Sequence, residues 1–236
     1  MLITDVPIDE IRNYYIDKFY SKADLAHGVE HIKTVEQRML ASNNSTPIGE
    51  YIVMFTAYLH DAFVSSNRKY HHVEAATYVA NASDIYLKML STEYIIMISD
   101  AILSHRASSN IDANTRLSNL LFMADKDEDT LEAIIIRAAK HKVYKIDSNK
   151  YKVTGDIYNH TFDYISLALG YVSNTDDILL DIFSHIKDKY GRDGYLYNNR
   201  KMKRFIRVKI ERYNILWEQI DSLHIYNIRD IIKDNV

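Results

Sequence analysis

The chain has 236 residues, 47% of them hydrophobic and 26% charged, which supports a sizeable core and excludes a disordered polymer. Six glycines and two prolines argue against a turn-rich sandwich or barrel, and a formal charge of -3 gives no global attraction to nucleic acid or anionic lipid. With no cysteine, disulfides and thiolate metal sites are excluded, which fits a reducing compartment. The opening MLITDVPIDEIRNYYIDKF lacks the basic start and apolar run of a signal peptide. The longest apolar runs, YIVMFTAYL and EYIIMI, are too short to span a bilayer. A soluble, cytoplasmic protein is expected.

Helical periodicity dominates from the start. Residues 8–20 repeat apolar positions at intervals of three and four, and residues 28–41 do the same through Val29, Ile32, Val35, Met39 and Leu40. SNNSTP then breaks the chain, with Ser45 or Thr46 a candidate cap and Pro47 suited to a first helical turn. Residues 48–62 are apolar on nearly every face, the mark of a buried central helix. Past the polar SSNRKYHH, helices are expected over about 72–90, 92–105 and 115–125. Helical character resumes after DKDEDT, over 157–190, and in a last long helix over about 198–221. The exception is KVYKIDSNKYKV, residues 142–153, whose alternating ends around DSNK predict a short β-hairpin. The expected fold is therefore an all-α helical bundle over residues 1–140, with a hairpin and helical extension over 141–236 packed on it.

The chemistry gathers around histidines and aspartates. AYLHDAF places His60 and Asp61 at the end of the most apolar segment, where burial without compensation costs several kcal/mol or more. Upstream, HGVEHIKTV puts His27 and His31 four apart on one helical face. Downstream lie HHVEAATYVA with His71 and His72, AILSHR with His105, and FMADKDE with Asp125, Lys126 and Glu128. Imidazoles and carboxylates make a hard-to-borderline donor set suited to a divalent ion such as Mn, Mg, Fe, Co, Ni or Zn.

These segments, in this order over about residues 24–130, resemble the HD superfamily of metal-dependent phosphohydrolases. The resemblance implies a helical HD-domain bundle that hydrolyses a phosphoester, most naturally in a nucleotide-like molecule. It places His31 as the first ligand, His60 and Asp61 as the namesake pair, and Asp125 as the distant last ligand. His60, Asp61 and Lys126 are the residues to which it assigns catalysis. Asp61 holds the ion and is a candidate acceptor of the water's proton. In relatives with two ions, histidines at comparable places complete the second shell; His71, His72 and His105 are the candidates, and the sequence accepts either register of the adjacent pair. One or two ions per chain are therefore open.

Other assignments stay open between two readings. His27 either positions substrate or caps its helix, and Arg68 and Lys69 either contact phosphate or lie in a solvated loop. Gly28 departs from the resemblance, following His27 where relatives often carry an acid. Two absences narrow the substrate by exclusion: Val64 stands where some nucleoside monophosphate phosphatases of the superfamily have glutamate, and HDAFV lacks the acidic follow-on associated with alarmone hydrolases. RKMKRFIRVKIER, residues 200–212, is basic within an acidic chain, with Arg200, Arg204 and Arg207 sharing one face if helical. It is either a solvated face or an attractor of a nucleotide or nucleic acid. Two further functions compete: an HD-fold di-iron oxygenase using the same six ligand types, and a catalytically silent nucleotide-binding module.

Overall fold

A computed structural model describes residues 2–21, 23, 27–42, 47–107, 111–112, 114–126, 130–144, 175–198, 200–207 and 209–234. The described residues form eleven α-helices joined by turns and short 3-10 segments, with no β-strand among them. The chain divides into two compact units, Met1–Asp127 and Glu128–Val236. No helix among the described residues is long and apolar enough to cross a membrane.

The first unit holds α1 (Ile8–Tyr15, continued by a π-helical turn over Ile16–Tyr20), α2 (Val29–Ala41), α3 (Pro47–Leu59), α4 (His71–Ala80), α5 (Thr92–Ser104) and α6 (Arg116–Lys126). Helix α3 is the centre: it packs against α1, α2, α5 and α6, and every residue from Ile52 to Leu59 is buried. Within that run the Thr56 hydroxyl donates to the Ile52 carbonyl at 2.7 Å, so its burial leaves that donor satisfied. Tyr15, Ile32, Met39, Ile98 and Leu121 close the core around its Phe55 and Tyr58.

Local chemistry sets the boundaries. The Ser91 hydroxyl accepts from the Tyr94 amide at 3.4 Å and Thr115 from the Ser118 amide at 3.0 Å, capping the first turns of α5 and α6. The helix expected over 72–90 stops at Ala80. Ala82 takes a left-handed conformation (φ 44°), and the Asp84 carboxylate accepts from the Tyr86 and Leu87 amides, each at 2.9 Å, redirecting the chain into a 3-10 turn.

The second unit contains α7 (Leu131–Tyr144), α8 (Thr175–Tyr190), α9 (Arg200–Ile206), α10 (Ile210–Asp221) and α11 (Ile225–Asp234), with Ile135, Ile182, Tyr213, Leu216, Ile220 and Ile228 in its core. Helix α7, grouped with the first 140 residues on sequence, thus belongs to this unit. Residues 142–144 of the expected hairpin close α7 as helix, and residues 145–153 lie outside the described residues, as do 157–174 of the next expected helix. The single helix expected over 198–221 is two, α9 and α10. The buried stripe Met202, Ile206, Tyr213, Trp217 and Ile220 calls for an apolar group at position 209, but Lys209 stands there exposed, and the chain turns at that point. Arg200 and Arg204 are exposed on α9, whereas Arg207 lies in the turn beyond it, so the three arginines do not form one helical face. Arg212 is on α10, its guanidinium 5.9 Å from the Tyr213 ring centre.

Candidate metal centre

Three helices of the first unit end in ligand-type side chains. His60 and Asp61 follow α3, His105 follows α5, and Asp125 is the penultimate residue of α6. Helix C-termini carry unpaired carbonyls and a partial negative charge, which favours a cation near them. His31 comes from the first turn of α2 and His71 begins α4. His60, Asp61, His71, His105 and Asp125 are buried, and the His31 side chain nearly so.

The side chains fall into two groups, each able to hold a metal ion: His31, His60 and Asp125, and Asp61, His71 and His105. Within each group the ligand atoms lie within 4.8 Å of one another. Asp61 joins the two. Its Oδ2 is 3.3 Å from His60 Nε2 and 3.6 Å from His31 Nε2, while its Oδ1 is 3.1 Å from His71 Nε2 and 3.6 Å from His105 Nε2. His31 Nε2 is also 3.3 Å from Asp125 Oδ1, and Asp125 Oδ2 pairs with the Lys126 ammonium.

The donor set fits a cation. His60, His71 and His105 each place Nδ1 against the carbonyl three residues earlier, Ala57 at 2.7 Å, Arg68 at 2.9 Å and Ile102 at 2.6 Å. A carbonyl only accepts, so Nδ1 carries a proton in each, and a ring that is neutral, as His105 is, turns an Nε2 lone pair inward. His71 Nε2 and His105 Nε2 face each other at 3.4 Å, and the buried His60 Nε2 makes no hydrogen bond among the described residues. Lone pairs and carboxylate oxygens alone repel one another in a buried space, and a positive ion removes that conflict. Histidine ligands anchored through the second nitrogen by backbone carbonyls are the arrangement metal sites use to fix ring orientation.

The two carboxylates are held ionised. Burial pushes the Asp61 carboxyl up, but His60, His105 and His71 outweigh it and hold the group well below the ordinary carboxylate range. Asp125 is likewise held low, with Lys126, His31 and His60 overcoming burial. Burial lowers the His60 imidazole, yet Asp61 and Asp125 leave it raised overall; burial brings His105 down to about 4, so it is neutral at neutral pH.

The structure thus brings His31, His60, Asp61, His71, His105 and Asp125 together, but groups them differently from the sequence, which assigns Asp61 to one ion alongside His31, His60 and Asp125. Of the adjacent histidines, His71 is the one that reaches Asp61. His72 is buried with its ring centre 5.6 Å from that of His71, outside both groups. The His27 ring lies edge-on to His31 at 6.1 Å between centres. Arg68 and Lys69 are exposed; their backbone carbonyls do structural service, Arg68 to His71 and Lys69 to the Arg106 guanidinium. Glu128 lies outside the described residues.

Three supporting residues went unread in the sequence. The buried Tyr20 hydroxyl donates to the Tyr58 carbonyl at 2.8 Å and lies against the Asp61 amide, fixing the end of α3. Arg38 donates to the Ala124 carbonyl at 3.1 Å, beside Asp125, and Arg106 follows His105 directly. Only the adjacency of Arg106 to His105 could have drawn notice, since all three act on backbone carbonyls far along the chain. Neither the protein-family models, nor the curated proteins, nor the solved structures yield a match to this chain.

Proposed function

We propose that the protein is a metal-dependent phosphohydrolase of the HD type, cleaving a phosphoester in a small, nucleotide-like molecule. The observation that carries this reading is the Asp61 carboxylate, one oxygen toward His60 and His31 and the other toward His71 and His105. A carboxylate so placed suits two adjacent ions, the clamp used for in-line displacement at phosphorus. The order of the sequence segments, similar to that of HD phosphohydrolases, supports the same reading.

When bound, divalent ions supply electrophilic polarisation of phosphoryl oxygens and make water a stronger acid near neutral pH. The protein's own groups do the rest. His31, His60 and Asp125 hold one position, Asp61, His71 and His105 the other, and the Nδ1 anchors keep three of the rings in the binding tautomer. Both Asp61 oxygens face imidazole nitrogens and its carboxyl is held ionised, so ligation suits it better than proton uptake. Lys126, half-buried beside Asp125, brings a positive charge to the phosphoryl oxygens, where charge builds in the transition state. His27, next to His31, and the exposed Arg68 and Lys69 before α4 are the groups to bind the rest of a phosphorylated substrate.

The test is hydrolysis of an activated phosphodiester and of nucleoside phosphates by protein stripped of metal and reloaded with Mn²⁺, Mg²⁺, Co²⁺ or Zn²⁺. Turnover is expected only with metal, and Asp61→Ala and His60→Ala are expected to lose bound metal and activity while keeping their helical circular dichroism. Full metal content in both variants would overturn the site, and no turnover with any metal would leave a nucleotide-binding module. Four histidines and two aspartates also suit two irons; oxygen uptake by iron-loaded protein, without phosphoester turnover, would mark the oxygenase instead.

A further inference from the structure

We infer that Arg38 and Arg106 are positioning residues, each latching together two of the three chain segments that build one of the two ligand groups. The inference rests on the metal-dependent reading above.

Arg38 lies on α2, seven residues, or about two turns, beyond His31. Its guanidinium donates to the Ala124 carbonyl at 3.1 Å, across 86 residues of sequence. Ala124 is within the last four residues of α6, whose carbonyls have no partner inside the helix. The bond therefore satisfies a helix-end acceptor and sets the spacing between α2 and the residue next to Asp125. At that spacing His31 Nε2 stands 3.3 Å from Asp125 Oδ1, two members of the first group.

Arg106 does the same for the second group. It follows His105, and its guanidinium donates to the carbonyl of Lys69, two residues before His71, across 37 residues of sequence. The turn leading into α4 is thereby tied to the end of α5. His71 Nε2 and His105 Nε2 face each other at 3.4 Å across that tie. Each of these bonds joins two segments of one group, so each arginine is expected to govern chiefly one ion. Arginine suits the task because its planar fork of donors is rigid.

The experiment counts Mn²⁺ bound to the full chain, reading free ion by electron paramagnetic resonance. Wild type is expected to bind two ions. Arg38→Met is expected to weaken one of them by roughly 10- to 100-fold and leave the other, as loss of an outer-shell partner does; Arg106→Met is expected to weaken the other. In a His105→Ala background, which keeps the ion of the His31 group, adding Arg38→Met is expected to weaken that ion and adding Arg106→Met to change nothing. Arg38→Lys and Arg106→Lys keep one donor and are expected to lose less; they decide the matter if the methionine variants do not fold. Wild type binding two ions, with all arginine variants binding both at wild-type affinity, would overturn the latches alone. So would equal weakening of both ions by each variant. Wild type binding no Mn²⁺ would remove the metal reading and the latches with it.

Discussion

His71 Nε2 lies 3.1 Å from Asp61 Oδ1, whereas the neighbouring His72 belongs to neither ligand group. Successive helical residues point about 100° apart, so only one of an adjacent pair faces a given site. His71→Ala is therefore expected to reduce bound Mn²⁺ from two per chain to one, with activity falling on the order of 10²-fold. His72→Ala is expected to keep both ions. Equilibrium dialysis with elemental analysis reads the difference, and the reverse pattern would reassign the ligand.

Glu36 is buried on α2, and its Oε1 accepts from Arg12 Nε at 3.1 Å and Nη2 at 2.7 Å. Arg12→Met strips a buried carboxylate of its charge partner and is expected to lower stability by about 3 kcal/mol in urea titration. Arg12→Met with Glu36→Leu is expected to recover most of that loss. A double variant no more stable than the single one would mean that packing around Arg12, not the charge, carries the effect.

Alkaline behaviour follows from four tyrosines. Burial raises Tyr15, Tyr20, Tyr58 and Tyr78 above the ordinary phenol range, with further repulsion from Asp84 at Tyr15 and Tyr78, Asp61 at Tyr20 and Glu36 at Tyr58. A raised pKa in the folded state means that the native protein keeps protons which the unfolded chain releases near pH 10. Their contribution to stability is complete below about pH 10 and is lost as pH climbs beyond it. Phenolate absorbance is expected to show one class of tyrosines ionising freely and another appearing only as helical circular dichroism falls. Reversible titration of all 19 tyrosines with helicity intact would contradict the burial of these four.

Much of this was legible because it is local. Periodicity marked α2, α3, α5 and α6, and the segments carrying His31, His60, Asp61, His105 and Asp125 do converge. What stayed hidden depends on three-dimensional packing. The two-sided use of Asp61 arises from where α4 and α5 set His71 and His105 against it, and no spacing along the chain encodes which oxygen faces which ring. The choice of His71 over His72 turns on the path of residues 61–70, a run of turns with no periodic signal. The break between α9 and α10 reads as a continuous apolar stripe unless the cost of placing Lys209 on it is weighed. Arg38 and Arg106 act on the carbonyls of Ala124 and Lys69, and main-chain acceptors leave no mark in side-chain patterns.

The basic stretch offers a separate test. Arg200 and Arg204 are exposed on α9 and Arg207 in the turn after it. If they draw in a charged substrate, glutamine at all three positions is expected to raise KM for a nucleoside polyphosphate severalfold at low salt and little at high salt, where charges are screened within about 3–10 Å. A small neutral-bodied phosphodiester is expected to be indifferent. Equal kinetics for both substrates at low salt would mark the stretch as a solvated surface.

The most direct measurement is Mn²⁺ binding and phosphodiester hydrolysis by Asp61→Asn, which keeps the shape of the side chain and removes the charge that links the two groups. The expected result is a folded, helical protein whose affinity for both ions falls by 10²-fold or more, with hydrolysis reduced at least as far. An Asp61→Asn protein that binds two ions with wild-type affinity and turns over normally would contradict the bridged site.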